Sequence, residues 1–296
     1  MNKNNHGEKQ LMKINTTTIE NYTQSIANQN TRKSNRHSLN KFVKFLENKE
    51  ITDVTQDNIN TVFRDYQAHL NKLKIKASTR NQHLIILKTF INEYTNIEYD
   101  KKLKLERTIN EPKYLTPKQI QTIYKYTENP LDELMIKLLS NTGLRISEAL
   151  NITKKELTDL DGEGNVILKV IGKRNKKRVV LIPSELVKEL NEYSKNNDTY
   201  VFESKKKPNE PMTPRAIEYR FKNLANRIDK KEQTTVYSEN LKPHNFRHSF
   251  AIHALKNNEI NYVKEFLGHE SITTTQIYTN LKEKEIVERF KQMKMI

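Results

Sequence analysis

Eight residues between positions 145 and 278 carry side chains that can share one reaction: Arg145, Glu148, Lys173, His244, Arg247, His248, His269 and Tyr278. Taken singly, each has an ordinary explanation. Arg145 and Glu148, spaced i, i+3, can form a helix ion pair worth a few tenths of a kcal/mol. His269 can follow a helix end after Gly268, and Tyr278 can be a core residue. Taken together they fit the chemistry of a phosphodiester. Its two non-bridging oxygens are charged, and two arginines can hold them in a bidentate way that lysine cannot. A phenol is an oxygen nucleophile once a base accepts its proton, and a leaving 5′-oxygen needs a proton donor. Tyr, Arg, Lys and His thus suffice for phosphoryl transfer through a covalent protein–DNA intermediate, with no metal or other cofactor.

The elements that must position these residues are marked by caps and periodicity. Thr116-Pro117 followed by Gln119 is a capping box with Pro at N1, and Thr213-Pro214 repeats the entry. Leu131–Ser140 reads as a buried helix stopped by Gly143, with a short helix over Ile146–Leu150. Val166–Ile171 and Arg178–Ile182 read as strands flanking the basic turn 172–177. Pro183-Ser184 opens a helix, Ile217, Phe221, Leu224 and Ile228 face a core, and the rest reads as helical.

Upstream, three apolar stripes have helical spacing: Leu39–Leu46, Ile59–Leu73 and Leu84–Tyr94. Thr52, Asp53, Asp57 and Ala77-Ser78-Thr79 supply the expected N-caps. Arg32, Lys33, Arg36, Lys41, Lys44 and Arg80 can line a phosphate backbone, or form an ordinary solvated face. Periodicity breaks from Asn96 to Pro112, where a linker is expected. The resulting division is a flexible arm at 1–15, a helical DNA-binding domain at 16–108, a linker at 109–113 and a larger domain at 114–296 with a tail at 284–296. The fold class is mainly α with a small antiparallel β-sheet.

Composition agrees with a polyanionic partner. The 296 residues carry 52 Lys+Arg against 36 Asp+Glu, a net charge of +16. Cut at residue 110, the two parts hold 19 basic against 11 acidic and 33 against 25, so no single tail carries the excess. The absence of Cys excludes disulfides, a thiol nucleophile and Cys-based metal sites. Six glycines without a phosphate-loop or dinucleotide pattern exclude those nucleotide folds. No apolar run approaches the ~18 residues of a membrane span. The expectation is a soluble, cytoplasmic protein.

Four segments then resemble the tyrosine recombinases of the phage integrase family, in the family's order: TGLRISEAL at 142–150, VIGKRNKKRVVLIP at 170–183, KPHNFRHSFAIHAL at 242–255 and FLGHESITTTQIYTNL at 266–281. The step from His269 to Tyr278 matches as well. Residues 114–285 carry the specific likeness; the helical domain is similar to the family's core-binding domain in size and character only. The resemblance implies a two-domain architecture, a helical core-binding domain plus an integrase-type catalytic domain. Tyr278 would attack the scissile phosphate, giving a 3′-phosphotyrosyl link and a free 5′-hydroxyl. Arg145 and Arg247 would clamp the non-bridging oxygens, Lys173 would protonate the leaving oxygen, His244 would accept the tyrosine proton and His269 would bind the phosphate. Glu148 and His248 would support them, and Arg174, Lys176 and Lys177 would meet DNA, with Lys176 the second candidate for the acid. Phe246 stands where the family usually has Leu, a tolerable apolar exchange.

The resemblance further implies double-stranded DNA gripped by two domains, and a homo-tetramer on two DNA sites or a hetero-tetramer with a paralogue. The tail 284–296, with Ile286, Phe290 and Met293 as its stripe, would pack on a neighbour or within its own chain. Two related readings are a type IB topoisomerase and a DNA-binding relative without strand transfer; intact Tyr278 and both arginines disfavour the second. A zinc site on His244, His248 and His253 lacks the Glu of HExxH, and the acidic residues form no cluster for a two-metal nuclease.

Overall fold

Asn15 and Asn28 open the first two helices by the same device, a side-chain oxygen accepting from backbone N–H groups of the first turn. The helices they start are α1 (Thr16–Gln24) and α2 (Gln29–Asn48), followed by α3 (Ile59–Lys72) and α4 (Ala77–Tyr94) in the compact unit Met1–Asn110. The computed structural model describes residues 13–107, 112–172, 177–257, 263 and 267. Leu39, Phe42, Leu46, Ile59, Tyr66, Leu70, Leu87, Phe90 and Ile91 form the unit's core.

Three readings of this unit change. α1 is a fourth helix, which the stripes did not announce because only Ile19, Tyr22 and Thr23 of its nine residues are buried. The expected caps do not cap α3 and α4. Asn58 precedes α3, but its carboxamide accepts from Thr55 N and donates to Asp53 O, locking the loop, and Lys76 precedes α4 without a side-chain cap. The aperiodic stretch after Asn96 is no free linker as far as Glu106. Gln56 exchanges two hydrogen bonds with the Glu98 backbone (2.8 and 2.9 Å), Tyr99 stacks on Phe63 at 3.9 Å, and Glu106 pairs with Arg80. Carboxamides and one ring hold an extended segment that apolar periodicity cannot reveal.

The second unit, Glu111–Ile296, begins with α5 (Pro117–Tyr126) behind the expected Thr116–Gln119 capping box. α6 (Pro130–Thr142) is its most buried helix and ends at Gly143, whose φ of 61° is the left-handed stop the sequence indicates. α7 (Ile146–Leu150) follows, then β1 (Val166–Ile171) and β2 (Lys177–Ile182), paired antiparallel with Val166 opposite Ile182 and Val170 opposite Arg178. Burial alternates along both strands, so Val166, Leu168, Val170, Arg178, Val180 and Ile182 share the inward face. α8 (Ser184–Tyr193) leads to a short pair, β3 (Glu203–Ser204) and β4 (Lys207–Pro211), which the sequence did not signal because it has two prolines and no apolar alternation. α9 (Pro214–Glu232), the short α10 (Val236–Asn240) and α11 (Pro243–Asn257) complete the described helices. α6 packs against α7, α8, α9, α11 and β2, so the described elements that carry reactive residues share one helical core. The fold is mainly α with small antiparallel sheets, as the sequence indicates.

Candidate active site

Arg145 stands at the junction of Gly143 and α7, where the chain turns out of the central helix. Glu148, three residues on, reaches back so that Oε2 accepts the Arg145 backbone N–H at 2.7 Å and Oε1 accepts from Arg145 Nη1 at 2.9 Å. This is half of a capping box, a carboxylate satisfying an N-terminal donor. The arginine side chain stays 37 % exposed while Glu148 is 11 % exposed. Arg178 of β2 closes on the same carboxylate with both terminal nitrogens, at 3.0 and 2.6 Å. Burial opposes the charge on Glu148, but the hydrogen bonds from Arg178 and Arg145 prevail and bring its carboxyl down to about 2.

α11 supplies His244, Arg247 and His248, which share one helical face at i, i+3 and i+4. The opposite side is anchored: Phe246 is fully buried against Phe221, and Ser249 Oγ accepts from Leu115 N at 2.8 Å. Arg247 is 2 % exposed; it donates to the Gly143 carbonyl at 2.6 Å and to the Leu267 carbonyl. These two carbonyls fix the direction of the guanidinium, a group whose planar fork matches phosphate oxygens. The rings of His244 and His248 meet edge to face at 4.4 Å. Burial, then the charges of Arg247 and Arg145, hold the His244 imidazole below its ordinary 6.5. Burial, then His244 and Arg247, push His248 down to about 4. Both are therefore neutral at neutral pH, the state that accepts a proton.

The structure brings Arg145, Glu148, His244, Arg247 and His248 together. Lys173, Arg174, Lys176, His269, Tyr278 and the tail 284–296 lie outside the described residues. Lys177, the first residue of β2, is exposed. In the first unit Lys33, Arg36 and Lys44 are exposed and Lys41 is half-buried along α2. Arg32 and Arg80 have partners within the protein. Arg32 donates to the carbonyls of Ile26 and Gln24, finishing α1, and Arg80 forks onto Glu106 (both bonds 2.5 Å) and the Ile75 carbonyl. Sequence reasoning gave Arg178 no role; the available signal was an arginine on the inward side of an alternating strand. Among the described residues no group of three His, Asp or Glu side chains is placed to hold a metal ion, and no helix is long and apolar enough to cross a membrane.

A helical unit followed by an α+β unit that presents two arginines beside a neutral histidine defines a class of proteins built around a phosphodiester. The phage integrase family profile matches residues 113–285. The tyrosine recombinase XerA of Pyrococcus horikoshii is 30% identical over 242 residues, covering 79% of this chain and 81% of the relative. Among solved structures, XerH recombinase bound to a palindromic difH substrate in a post-cleavage complex aligns with a TM-score of 0.70 at 20% identity, over 93% of this chain and 85% of that one. The Tn1549 transposon integrase in complex with transposon right end DNA aligns at 0.67 and 18%, over 90% and 94%. The chain belongs to the phage integrase family, the tyrosine recombinases.

Proposed function

We infer that the chain is a site-specific DNA recombinase, an enzyme that cuts and rejoins double-stranded DNA through a phosphotyrosyl intermediate. The observation that carries this reading is the meeting of Arg145, Arg247 and His244 in the second unit. In the proposed reaction the scissile phosphate lies on the two guanidinium groups. The Tyr278 oxygen attacks phosphorus, its proton passes to His244, and the bond to the 5′-oxygen breaks. That oxygen takes a proton from Lys173 and leaves as a hydroxyl, while the phosphate stays joined to the 3′ end and to tyrosine. A 5′-hydroxyl from another strand then reverses each step and restores the backbone without ATP. His269 assists at the phosphate, and His248 keeps the His244 ring in place through their edge-to-face contact.

The XerH and Tn1549 integrase structures are complexes with DNA, and a net charge of +16 suits the same partner here. The finer proposal is a tetramer on two DNA sites, with Lys284–Ile296 packing on a neighbour; deleting 284–296 should abolish tetramer formation. The test of the reading is incubation in EDTA with a site nicked just 3′ of the scissile phosphate, so that the released fragment diffuses away. A denaturation-resistant adduct that vanishes in Tyr278→Phe is expected. Relaxation of a supercoiled plasmid lacking any such site would favour a type IB topoisomerase instead.

A further inference from the structure

Arg178 occupies a position that an apolar residue would fill more cheaply. It lies on the inward face of the hairpin, in the row of Val166, Leu168, Val170, Val180 and Ile182, and its side chain is only 5 % exposed. Burying a guanidinium is costly even when it is paired, and replacing such pairs by packed apolar groups is often neutral or stabilising. What the arginine does with its charge is specific. Both terminal nitrogens bind Glu148, one on each oxygen, and each of those oxygens also accepts from Arg145, one from the backbone and one from the guanidinium. Four donors from two arginines thus fix one carboxylate. The trio keeps a surplus positive charge, and the exposed side of that surplus is Arg145.

We propose that Arg178 is a positioning residue for phosphate binding: it orients the Glu148 carboxylate, and Glu148 in turn holds the Arg145 guanidinium in line for the scissile phosphate. A carboxylate gripped by a bidentate fork cannot rotate, so Arg145 is aimed before DNA arrives and no ordering is left for the reactive complex. The same contact ties β2 to the start of α7. The inference rests on the recombinase reading, because the aim of Arg145 matters only to an enzyme that binds a phosphodiester there.

The experiment uses the full chain and the nicked substrate, at saturating DNA, with three readouts: adduct rate, DNA affinity and melting temperature. The variants are Arg178→Met, Arg178→Lys and Glu148→Gln, and each is run on the ordinary phosphate and on a methylphosphonate, which lacks the charge that Arg145 would meet. Arg178→Met is expected to bind DNA normally and to form adduct about 10- to 100-fold more slowly, the usual cost of losing a group that orients a reactive one. Arg178→Lys recovers part of the rate, Glu148→Gln added to Arg178→Met costs little more, and the deficit shrinks on the methylphosphonate. An Arg178→Met chain that melts lower yet cleaves at the native rate overturns the proposal and leaves a structural strap. A deficit equal on both phosphates also overturns it. If Arg178→Met does not fold, Arg178→Lys on the two substrates decides by the same comparison. A native chain that forms no adduct removes the recombinase reading itself, and the inference with it.

Discussion

Arg247 and Gly143 are 104 positions apart, and a 2.6 Å hydrogen bond from the Arg247 guanidinium to the Gly143 carbonyl joins α11 to the turn that presents Arg145. The turn needs glycine twice over. Its φ of 61° lies in the left-handed region, and a Cβ there would stand 2.5 Å from a ring carbon of Phe250 on α11. Gly143→Ala should therefore cost about 1–2 kcal/mol in backbone strain alone, with more from moving the ring. Because the displaced ring sits on the helix of His244 and Arg247, adduct formation should fall further than the loss of stability explains. Melting temperature and adduct rate measured on the same sample check both.

Arg247→Lys keeps the charge but loses the fork. A lysine cannot hold two carbonyls and a phosphate in one plane, and Arg247 itself is 2 % exposed, so little solvent reaches it to replace the missing donors. The expected loss in cleavage rate is about 10²- to 10³-fold, the range for removing a donor that stabilises transition-state charge. DNA affinity should change far less. A binding loss as large as the rate loss would show that Arg247 serves the ground state equally.

Much of this arrangement was legible because caps and stripes are local. The Thr116 capping box, the Gly143 stop, the short helix carrying Glu148 and the hairpin ends each depend on residues within a few positions of one another. What escaped was non-local or polar. The fork of Arg178 on Glu148 spans 30 positions and violates the apolar alternation of its strand, so the pattern that reveals the hairpin conceals the residue. The segment to Glu106 is held by Gln56, Asn81, Asn92 and Arg80, polar groups that look solvent-facing until their partners are placed. The internal bonds of Arg32 and Arg80 are of the same kind.

That distinction separates two kinds of arginine and lysine in the first unit. Lys33→Ala and Lys44→Ala should each weaken DNA binding about equally for all sequences and lower the slope of log K against log [salt] by about 1. Arg80→Ala should instead loosen the packing of the Glu106 segment, lowering the unfolding midpoint. A salt slope that falls for Arg80→Ala, with its midpoint unchanged, would return it to the DNA surface.

Acid should weaken both units over a window set by neutral histidines. Burial, then the charges of Lys41 and His37, push the His83 imidazole down to about 4 in the first unit, where it is 3 % exposed on α4. His248 is held at about 4 in the second. The unfolded chain returns each to its ordinary 6.5, so between about 6.5 and 4 the unfolded state binds more protons than the folded one. Stability is therefore complete above 6.5 and falls as pH drops through the window, by at most about 1.4 kcal/mol per pH unit for each histidine. Glu148, with its folded value near 2 against an ordinary 4.5, adds its own loss as pH falls from about 4.5 towards 2. Urea unfolding at several pH values from neutral to mildly acidic should show the decline, and His83→Phe, which cannot take up the proton, should flatten the part belonging to the first unit. A native chain whose midpoint stays level across that range would mean that the buried imidazoles titrate as in water.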